Sequence, residues 1–418
     1  MRHLPAIVVF VASYALIVCT HPYALPGNGL WAGVYTVALG GGVGLLYCAL
    51  YKWPALRRWL AYAVFFITPV LTFTGHIGVL TGFVAGHSLR AAALPWLGVS
   101  FVTAALALHV FTGTLSSASL VWRILHPLRW NSGPCALPTN TVRRSLSLRR
   151  AQFYGAWVVL GAFFYGVLAA GLAPLLVLKE STHALDILAF AVIFEAYVYF
   201  NFSGISFMVF GVLNLVGSKT NVNFKSPFSA RDVIGYWQRW HTSLGAVFKP
   251  LFFNPIKARW GLSAAVLGVF VCSALWHGVS LNFMLWGVFH AMGWLLTYRL
   301  ARWPGADWGR WVSLLLFPVI VVFGRLIFSE LDMPTLLFKF RQVLYFEGGR
   351  DAWLLHLEMD ARTAVTLWVA ALALGAEVLL PRQCGAYRFW RKRGVTLALL
   401  VATLALGSTG LGGVYGTR

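Results

Sequence analysis

The chain has 418 residues, of which 59% are hydrophobic and 11% are charged, and its mean hydropathy is +0.74. Soluble domains carry about a quarter charged residues, so this composition excludes an ordinary soluble protein and indicates an integral membrane protein. The formal charge of +21 does not indicate a nucleic-acid partner, because the basic residues lie in short loops between apolar runs, as membrane orientation requires.

Apolar runs of helical length follow one another along the chain. The first, residues 6–18, follows a basic start, but no clear small-residue cleavage site comes after it, so we interpret it as a retained span. The other predicted segments are 29–51, 59–83, 91–121, 152–178, 184–200, 205–217, 262–280, 281–299, 311–328, 363–380 and 394–412. A crossing needs about 20 apolar residues. We therefore predict an all-α polytopic membrane protein, a single domain over residues 1–418 with roughly 11 or 12 transmembrane or re-entrant helices.

The 205–217 and 262–280 runs are short or interrupted by glycine, and we expect them to be re-entrant or broken. Lys and Arg predict the orientation. The basic loops at 52–58, 123–150, 249–259 and 382–393 are predicted to be cytoplasmic. The 331–362 segment holds five of the twelve acidic residues and is predicted to be the extracytoplasmic loop. The five cysteines are scattered without metal-site or disulfide spacing, and we expect no metal.

Two histidines lie 36 positions apart within this apolar sequence, His241 and His277. The Trp276-His277-Gly278 segment is predicted to fall within a helix or at its break. Polar groups inside a membrane are costly and often functional, so for His277 a core histidine and a functional group are about equally expected. His241 follows an amphipathic run and, taken alone, is typical of an interfacial histidine.

Several other polar or aromatic side chains accompany the two histidines. Tyr236, Trp237 and Trp240 share one side of the amphipathic run before His241. The polar residues at span edges are Asn201, Ser203, Ser206 and Asn282. Each of these, taken alone, is expected to bond a neighbouring helix rather than to act in catalysis.

Four motifs occur in order between residues 199 and 290. They are Tyr199-Phe-Asn-Phe-Ser-Gly-Ile-Ser206, Asn223-Phe-Lys-Ser-Pro-Phe228, Tyr236-Trp-Gln-Arg-Trp-His-Thr-Ser-Leu244, and Leu275-Trp-His-Gly278 with Asn282-Phe-Met-Leu-Trp-Gly287. In sequence and spacing they resemble the membrane-bound O-acyltransferase (MBOAT) family, and more closely its bacterial branch that serves alginate O-acetylation and teichoic acid D-alanylation. Two departures stand out: Asn201 replaces the usual Asp, and Phe248-Lys-Pro250 replaces a common Arg-Asp pair.

The resemblance implies helices around a central tunnel, with a thioester donor entering from the cytoplasm and a hydroxyl acceptor from outside. It makes His277 and His241 the catalytic residues. His277 acts as the base, and His241, nearer the cytoplasmic mouth, orients the donor or relays a proton. Tyr236, Trp237 and Trp240 are then expected to line the entrance. Asn282 or Trp276 are candidate donors to the developing oxyanion. Asn201 and Ser203 are counted among the substrate-binding residues.

The resemblance also implies the substrates. The donor is acetyl-CoA or an acyl carrier protein thioester, with no bound cofactor, and the basic cytoplasmic face suits either anionic donor or membrane lipids. We predict acetyl transfer to an exported or cell-envelope polysaccharide in the bacterial inner membrane, with a possible periplasmic or extracellular acyltransferase partner. The alternatives are D-alanyl transfer to an envelope polymer and, in a different class, a non-enzymatic transporter with a histidine proton pathway.

Overall fold

The computed structural model describes residues 28–74, 99–116, 147–217, 220–303, 306–346, 360–379 and 385–407. These residues form helices joined by short loops, and no strand occurs among them. The all-α class predicted from the sequence is therefore confirmed. The predicted first span at 6–18, most of the basic loop at 123–150 and residues 347–359 of the acidic segment lie outside the described residues.

The helices follow the predicted apolar runs closely. In chain order they are α1 (Asn28–Leu50), α2 (Pro54–Thr74), α3 (Val99–Thr112), α4 (Leu148–Phe163), α5 (Ala184–Leu215), α6 (Val233–Arg239), α7 (Thr242–Phe248), α8 (Asn254–His277), α9 (Leu281–Leu300), α10 (Ala306–Ser329), α11 (Met333–Tyr345), α12 (Ala361–Leu379), α13 (Gly385–Trp390) and α14 (Arg393–Leu406). A π-helical turn, a single α-turn and a 3-10 segment extend α4 to Glu180.

Five stretches of the described chain are long and apolar enough to cross a membrane. They are Leu148–Glu180, Ala184–Leu215, Thr242–His277, Trp308–Ser329 and Ala361–Leu379. The chain is thus a multi-pass membrane protein, as predicted. The total of 11 or 12 segments includes residues outside the described ranges and stays a prediction.

The expectation of a re-entrant 205–217 segment is wrong. The predicted runs 184–200 and 205–217 form one 32-residue helix, α5. Gly204 does not break this helix, because it marks the place where α5 crosses α4. A Cβ there would approach Tyr165 N to 2.7 Å and Gly161 O to 2.8 Å. The glycine therefore serves close helix packing.

The 262–280 run belongs to a longer, bent stretch. The chain from Thr242 to His277 is helical on both sides of a kink at Gly261, whose backbone is non-helical with φ at +81°. That backbone conformation favours glycine. A π-helical turn at Lys249–Phe253 precedes the kink. The helix ends at His277, so the prediction that the Trp276-His277-Gly278 segment lies at a helix break is confirmed.

Candidate active site

A cavity of about 510 Å³ lies among the helices of the motif region. Its walls come from α5 to α10 and the π-helical turn after α7, and most of them are aromatic or aliphatic. The polar lining residues are Lys225, Gln238, His241, Thr242, Lys249, Ser273, His277 and Arg325. Lys249 and Gln238 are exposed to solvent, which makes this end the mouth of the cavity.

His277 is the last residue of α8, and its side chain lines the cavity. The helix stops there, and the Gly278 backbone N–H donates to Ala274 O at 3.1 Å. Aromatic rings surround the imidazole, with ring centroids 4.9 Å away at Trp276, 5.0 Å at Phe328 and 5.5 Å at Trp286. The side chain is half-buried. An imidazole of this kind is shielded from bulk water yet open to a molecule inside the cavity.

His241 lines the same cavity and is the residue immediately before α7. Its backbone is left-handed, with φ at 45°, a strained conformation for a residue with a Cβ. Its Nδ1 accepts from the Leu244 backbone N–H at 3.4 Å and lies 3.3 Å from Ser243 Oγ. Its Nε2 is buried and has no hydrogen-bond partner within the described chain. The turn therefore fixes one ring nitrogen and leaves the other for a ligand.

Packing brings the two histidines onto one cavity although they come from different helices. Phe101 of α3 bridges them, with ring centroids 5.6 Å from His241 and 5.3 Å from Trp276, the neighbour of His277. The sequence predicted a shared site only through the family resemblance. The structure places both imidazoles on the lining of a single space.

Asn223 holds the His241 turn in place. Its Oδ1 accepts from Ser243 N at 3.1 Å and from Ser243 Oγ at 2.8 Å. Its Nδ2 donates to Ser206 Oγ on α5 at 3.3 Å, and its backbone carbonyl accepts from Thr242 N at 2.8 Å. The motif containing Asn223 was recognised in the sequence, but this role was not.

A buried ion pair forms part of the cavity wall. Arg325 Nε donates to Glu195 Oε2 at 2.6 Å, and Tyr236 Oη donates to Glu195 Oε1 at 2.7 Å. Arg325 lines the cavity, whereas Glu195 and Tyr236 do not. The sequence interpretation did not select Glu195, although an acid inside the apolar 184–200 run is costly in a membrane and was a usable signal.

The remaining predicted substrate-binding residues divide into two groups. Trp237 and Trp240 line the cavity. The five that do not line it are Asn201, Ser203, Tyr236, Trp276 and Asn282. The expectation that Tyr236 lines the entrance is therefore corrected: its ring is buried and stacks on Trp240 at 5.4 Å, because its hydroxyl is held by Glu195.

Behind the wall, Asn282, Ser203 and the Asn201 amide nitrogen bond neighbouring protein groups, whereas the buried Asn201 Oδ1 has no hydrogen-bond partner among the described residues. Asn282 Nδ2 donates to Ile327 O at 3.3 Å and its Oδ1 accepts from Ser280. Ser203 Oγ donates to Tyr199 O, and Asn201 Nδ2 donates to Tyr197 Oη at 3.3 Å. Such contacts are typical of helix packing. The bonded amide and hydroxyl groups therefore do not contact a molecule in the cavity. No cluster of metal-ligating side chains occurs in the part of the chain that the structure describes.

The fold and the cavity define a class: a multi-pass helical membrane protein with two histidines facing one internal cavity. Residues 182–303, which supply most of that cavity, match the sequence model of the membrane-bound O-acyltransferase (MBOAT) family. The predicted resemblance to this family is confirmed by the match.

Three relatives show the range of the similarity. The probable alginate O-acetylase AlgI of Pseudomonas syringae is 32% identical over 25% of this chain and 21% of its own. The teichoic acid D-alanyltransferase of Bacillus subtilis is 27% identical over 32% of this chain and 39% of its own. The peptidoglycan O-acetyltransferase of Helicobacter pylori is 33% identical over 23% of this chain and 19% of its own. The similarity thus spans well under half the length of each relative.

Proposed function

We propose that the chain is an O-acyltransferase that moves an acetyl group from a cytoplasmic thioester to a hydroxyl of an exported or cell-envelope polysaccharide. The observation that carries the proposal is the pair His241 and His277 on one intramembrane cavity. The relatives support it, because their names describe acyl transfer to alginate, teichoic acid and peptidoglycan.

His277 is the proposed general base. A neutral imidazole takes the proton from the acceptor hydroxyl, whose oxygen then forms a bond to the thioester carbonyl carbon. The tetrahedral intermediate collapses, the carbon–sulfur bond breaks, and the imidazolium returns the proton to the departing thiolate. The new ester and the free thiol balance the reaction, and the thioester already carries the activation.

His241 has a supporting role in this proposal. Its Nδ1 is engaged by the turn and its Nε2 has no partner in the described chain, so Nε2 can accept a hydrogen bond from the donor or pass a proton. The mouth near Lys225 and Lys249 suits an anionic donor, acetyl-CoA or the phosphopantetheine thioester of an acyl carrier protein. Trp237 and Trp240 provide apolar surface along the way.

Because the donor is proposed to enter at the mouth near Lys225 and Lys249, the acceptor is proposed to approach from the other side of the membrane. The acceptor hydroxyl reaches His277 from the opposite face of the bacterial inner membrane, either directly or through a periplasmic or extracellular acyltransferase partner that carries the acyl group onward. The names of the relatives all describe envelope or exported polymers as acceptors. D-alanyl transfer is the second candidate, since the alignment with the teichoic acid D-alanyltransferase covers 39% of that protein.

The test is acyl transfer by purified protein in proteoliposomes, with radiolabelled acetyl-CoA or acetylated carrier protein outside and an envelope glycan or a soluble sugar inside. The wild type is expected to form an acetyl ester. His277→Ala is expected to lower the rate about 10²–10⁴-fold, the value of lost general-base help, with unchanged insertion and thermal stability.

His109 offers a matched control for this experiment. It is another buried histidine in an apolar helix, α3, and it does not line the cavity. His109→Ala is expected to retain transfer within a few-fold. Wild-type transfer by His277→Ala would overturn the site. Flux of a solute through the wild type with no ester formed would favour the transporter alternative instead.

A further inference from the structure

The charged side chains that line the cavity are all positive. Within the described residues that line it, the formal charges are Lys225 and Lys249 near the mouth and Arg325 deeper in the wall, and no carboxylate is present. An aminoacyl donor would bring a cation into this space, whereas an acetyl donor would not. The lining charge therefore bears on which acyl group the site accepts.

Arg325 is held at the cavity wall by a carboxylate and two aromatic rings. Its Nε donates to Glu195 Oε2 at 2.6 Å, and Glu195 does not line the cavity. The guanidinium carbon lies 5.6 Å from the centroid of the Trp240 ring and 5.4 Å from that of Phe328, and both rings line the cavity. Glu195 thus lies behind the wall, while Arg325, whose guanidinium packs against two lining rings, is part of the lining.

The same wall places Arg325 near the catalytic imidazole. Phe328 contacts both groups: its ring lies 5.0 Å from His277 and under the Arg325 guanidinium. An acyl group poised for attack by a hydroxyl bound to His277 must therefore lie in the field of Arg325. Arg325 is buried and His277 is half-buried, and charge interactions at such sites are stronger than in bulk solvent.

The Glu195 carboxylate is not available to pair with a cationic acyl group. Both oxygens of Glu195 are engaged, one by Arg325 and one by Tyr236 Oη at 2.7 Å. An ammonium ion inside the cavity would need a counter-ion or several acceptors to replace its water. The described lining supplies three cationic side chains, of which Arg325 is held in place by Glu195, and no carboxylate.

We infer that Arg325, held by Glu195, is a specificity-determining residue that admits uncharged acyl groups and disfavours cationic aminoacyl groups such as D-alanyl. This inference rests on the proposed function, because it names the acyl class for that same transfer. The α-amino group of an alanyl thioester is largely protonated at neutral pH, so D-alanyl enters as a cation and acetyl does not. A tenfold rate change corresponds to about 1.4 kcal/mol, which two unit charges about 12 Å apart reach at an effective dielectric constant of about 20.

The experiment compares three thioesters of one pantetheine carrier: propionyl, D-lactyl and D-alanyl. All share a three-carbon acyl chain; D-lactyl adds a neutral hydroxyl at the position where D-alanyl carries its ammonium. In proteoliposomes at pH 7, kcat/KM for D-lactyl is expected to lie within a few-fold of propionyl. D-alanyl is expected to be at least about tenfold poorer than D-lactyl, because only charge separates the two.

Variants of the ion pair assign the effect to Arg325. Removal of Arg325 alone would leave a buried carboxylate unpaired, so the test variant is the double change Arg325→Met with Glu195→Gln. It is expected to raise the D-alanyl to D-lactyl ratio about tenfold. Arg325→Lys keeps the positive charge and is expected to keep most of the wild-type discrimination.

Each outcome decides something different. Equal or faster transfer of D-alanyl than D-lactyl by the wild type would overturn this inference and leave the proposed acyl transfer intact. A D-lactyl rate as low as that of D-alanyl would also overturn it, because size or polarity rather than charge would then select. If the double variant folds and its ratio is unchanged, Arg325 is not the source. Transfer of none of the three, together with no transfer of acetyl from the same carrier, would count against the proposed function itself.

Discussion

At the scale of the residue, one amide organises the turn that carries His241. Asn223 accepts two hydrogen bonds from Ser243, and Ser243 Oγ lies 3.3 Å from His241 Nδ1. Asn223 is therefore a positioning residue, since it contacts the turn and does not line the cavity. The left-handed backbone at His241 needs such support, because an unsupported residue would relax out of it.

We predict that Asn223→Ala lowers kcat of acyl transfer about 10–100-fold while donor KM changes less, because the imidazole loses its fixed direction. Asn223→Asp keeps an oxygen acceptor and is expected to recover much of the rate. Steady-state kinetics in proteoliposomes measure both. Asn221→Ala is the matched control, since Asn221 is exposed two positions earlier. A rise in KM alone would contradict a positioning role.

At the scale of the element, glycines set the distance between α4 and α5. A Cβ at Gly161 would come within 2.5 Å of Gly204 O and 2.7 Å of Met208 N, both on α5. Gly155, earlier on α4, has nothing within 4 Å of the same position. One helix thus carries a glycine that packing requires and a glycine that it does not.

We predict that Gly161→Ala destabilises the protein by about 1–3 kcal/mol, the cost of overpacking, and lowers the thermal midpoint in detergent. Gly155→Ala is expected to be neutral or slightly stabilising, because alanine favours a helix by about 1 kcal/mol over glycine. Equal midpoints for the two variants would show that α4 and α5 can separate without loss.

At the scale of the whole molecule, helices near the C-terminus support the motif region. Glu377 of α12 accepts from Tyr199 Oη and, at 3.3 Å, from the Phe228 backbone N–H. Tyr387 Oη of α13 lies 2.8 Å from Tyr199 Oη and accepts from the Ser226 backbone N–H at 2.8 Å. The second motif, and the loop that carries it, is thereby fastened to helices more than a hundred residues away.

We predict that Glu377→Ala costs about 1–3 kcal/mol, because it leaves buried donors without an acceptor, and that acyl transfer falls with it as the motif loop loosens. Glu377→Gln retains an oxygen acceptor and is expected to cost less. Thermal unfolding and transfer rates measure the two effects. A stable, inactive Glu377→Ala protein would indicate a role for Glu377 beyond support.

The orientation of the molecule in the membrane gives a further prediction. Lys249 is exposed at the cavity mouth, and Leu344 on α11 is 78% exposed within the predicted extracytoplasmic segment. In a variant without the native cysteines, a cysteine at Lys249 is expected to react with an impermeant maleimide only from the cytoplasmic side. A cysteine at Leu344 is expected to react only from outside. Labelling of both from one side would contradict the predicted topology.

Much of this molecule follows from local sequence properties. The apolar runs predicted the membrane class and most helix positions, because hydropathy and helix length are properties of neighbouring residues. Ser203 and Gly204 did not interrupt α5 as the run boundaries suggested, since Ser203 Oγ bonds Tyr199 O within the helix. The motifs also predicted His241 and His277, through resemblance rather than through spacing.

The sequence by itself determined a multi-pass helical membrane protein with a histidine at a helix end. Only the tertiary structure decided which side chains share a cavity, because that depends on how separate helices face one another. Glu195 and Arg325 are 130 positions apart and form an ion pair, a contact that no local pattern specifies. The same packing turned Tyr236 and Asn282 away from the cavity and put Arg325 on its wall, since each buried polar atom must find a partner wherever the folded chain supplies one.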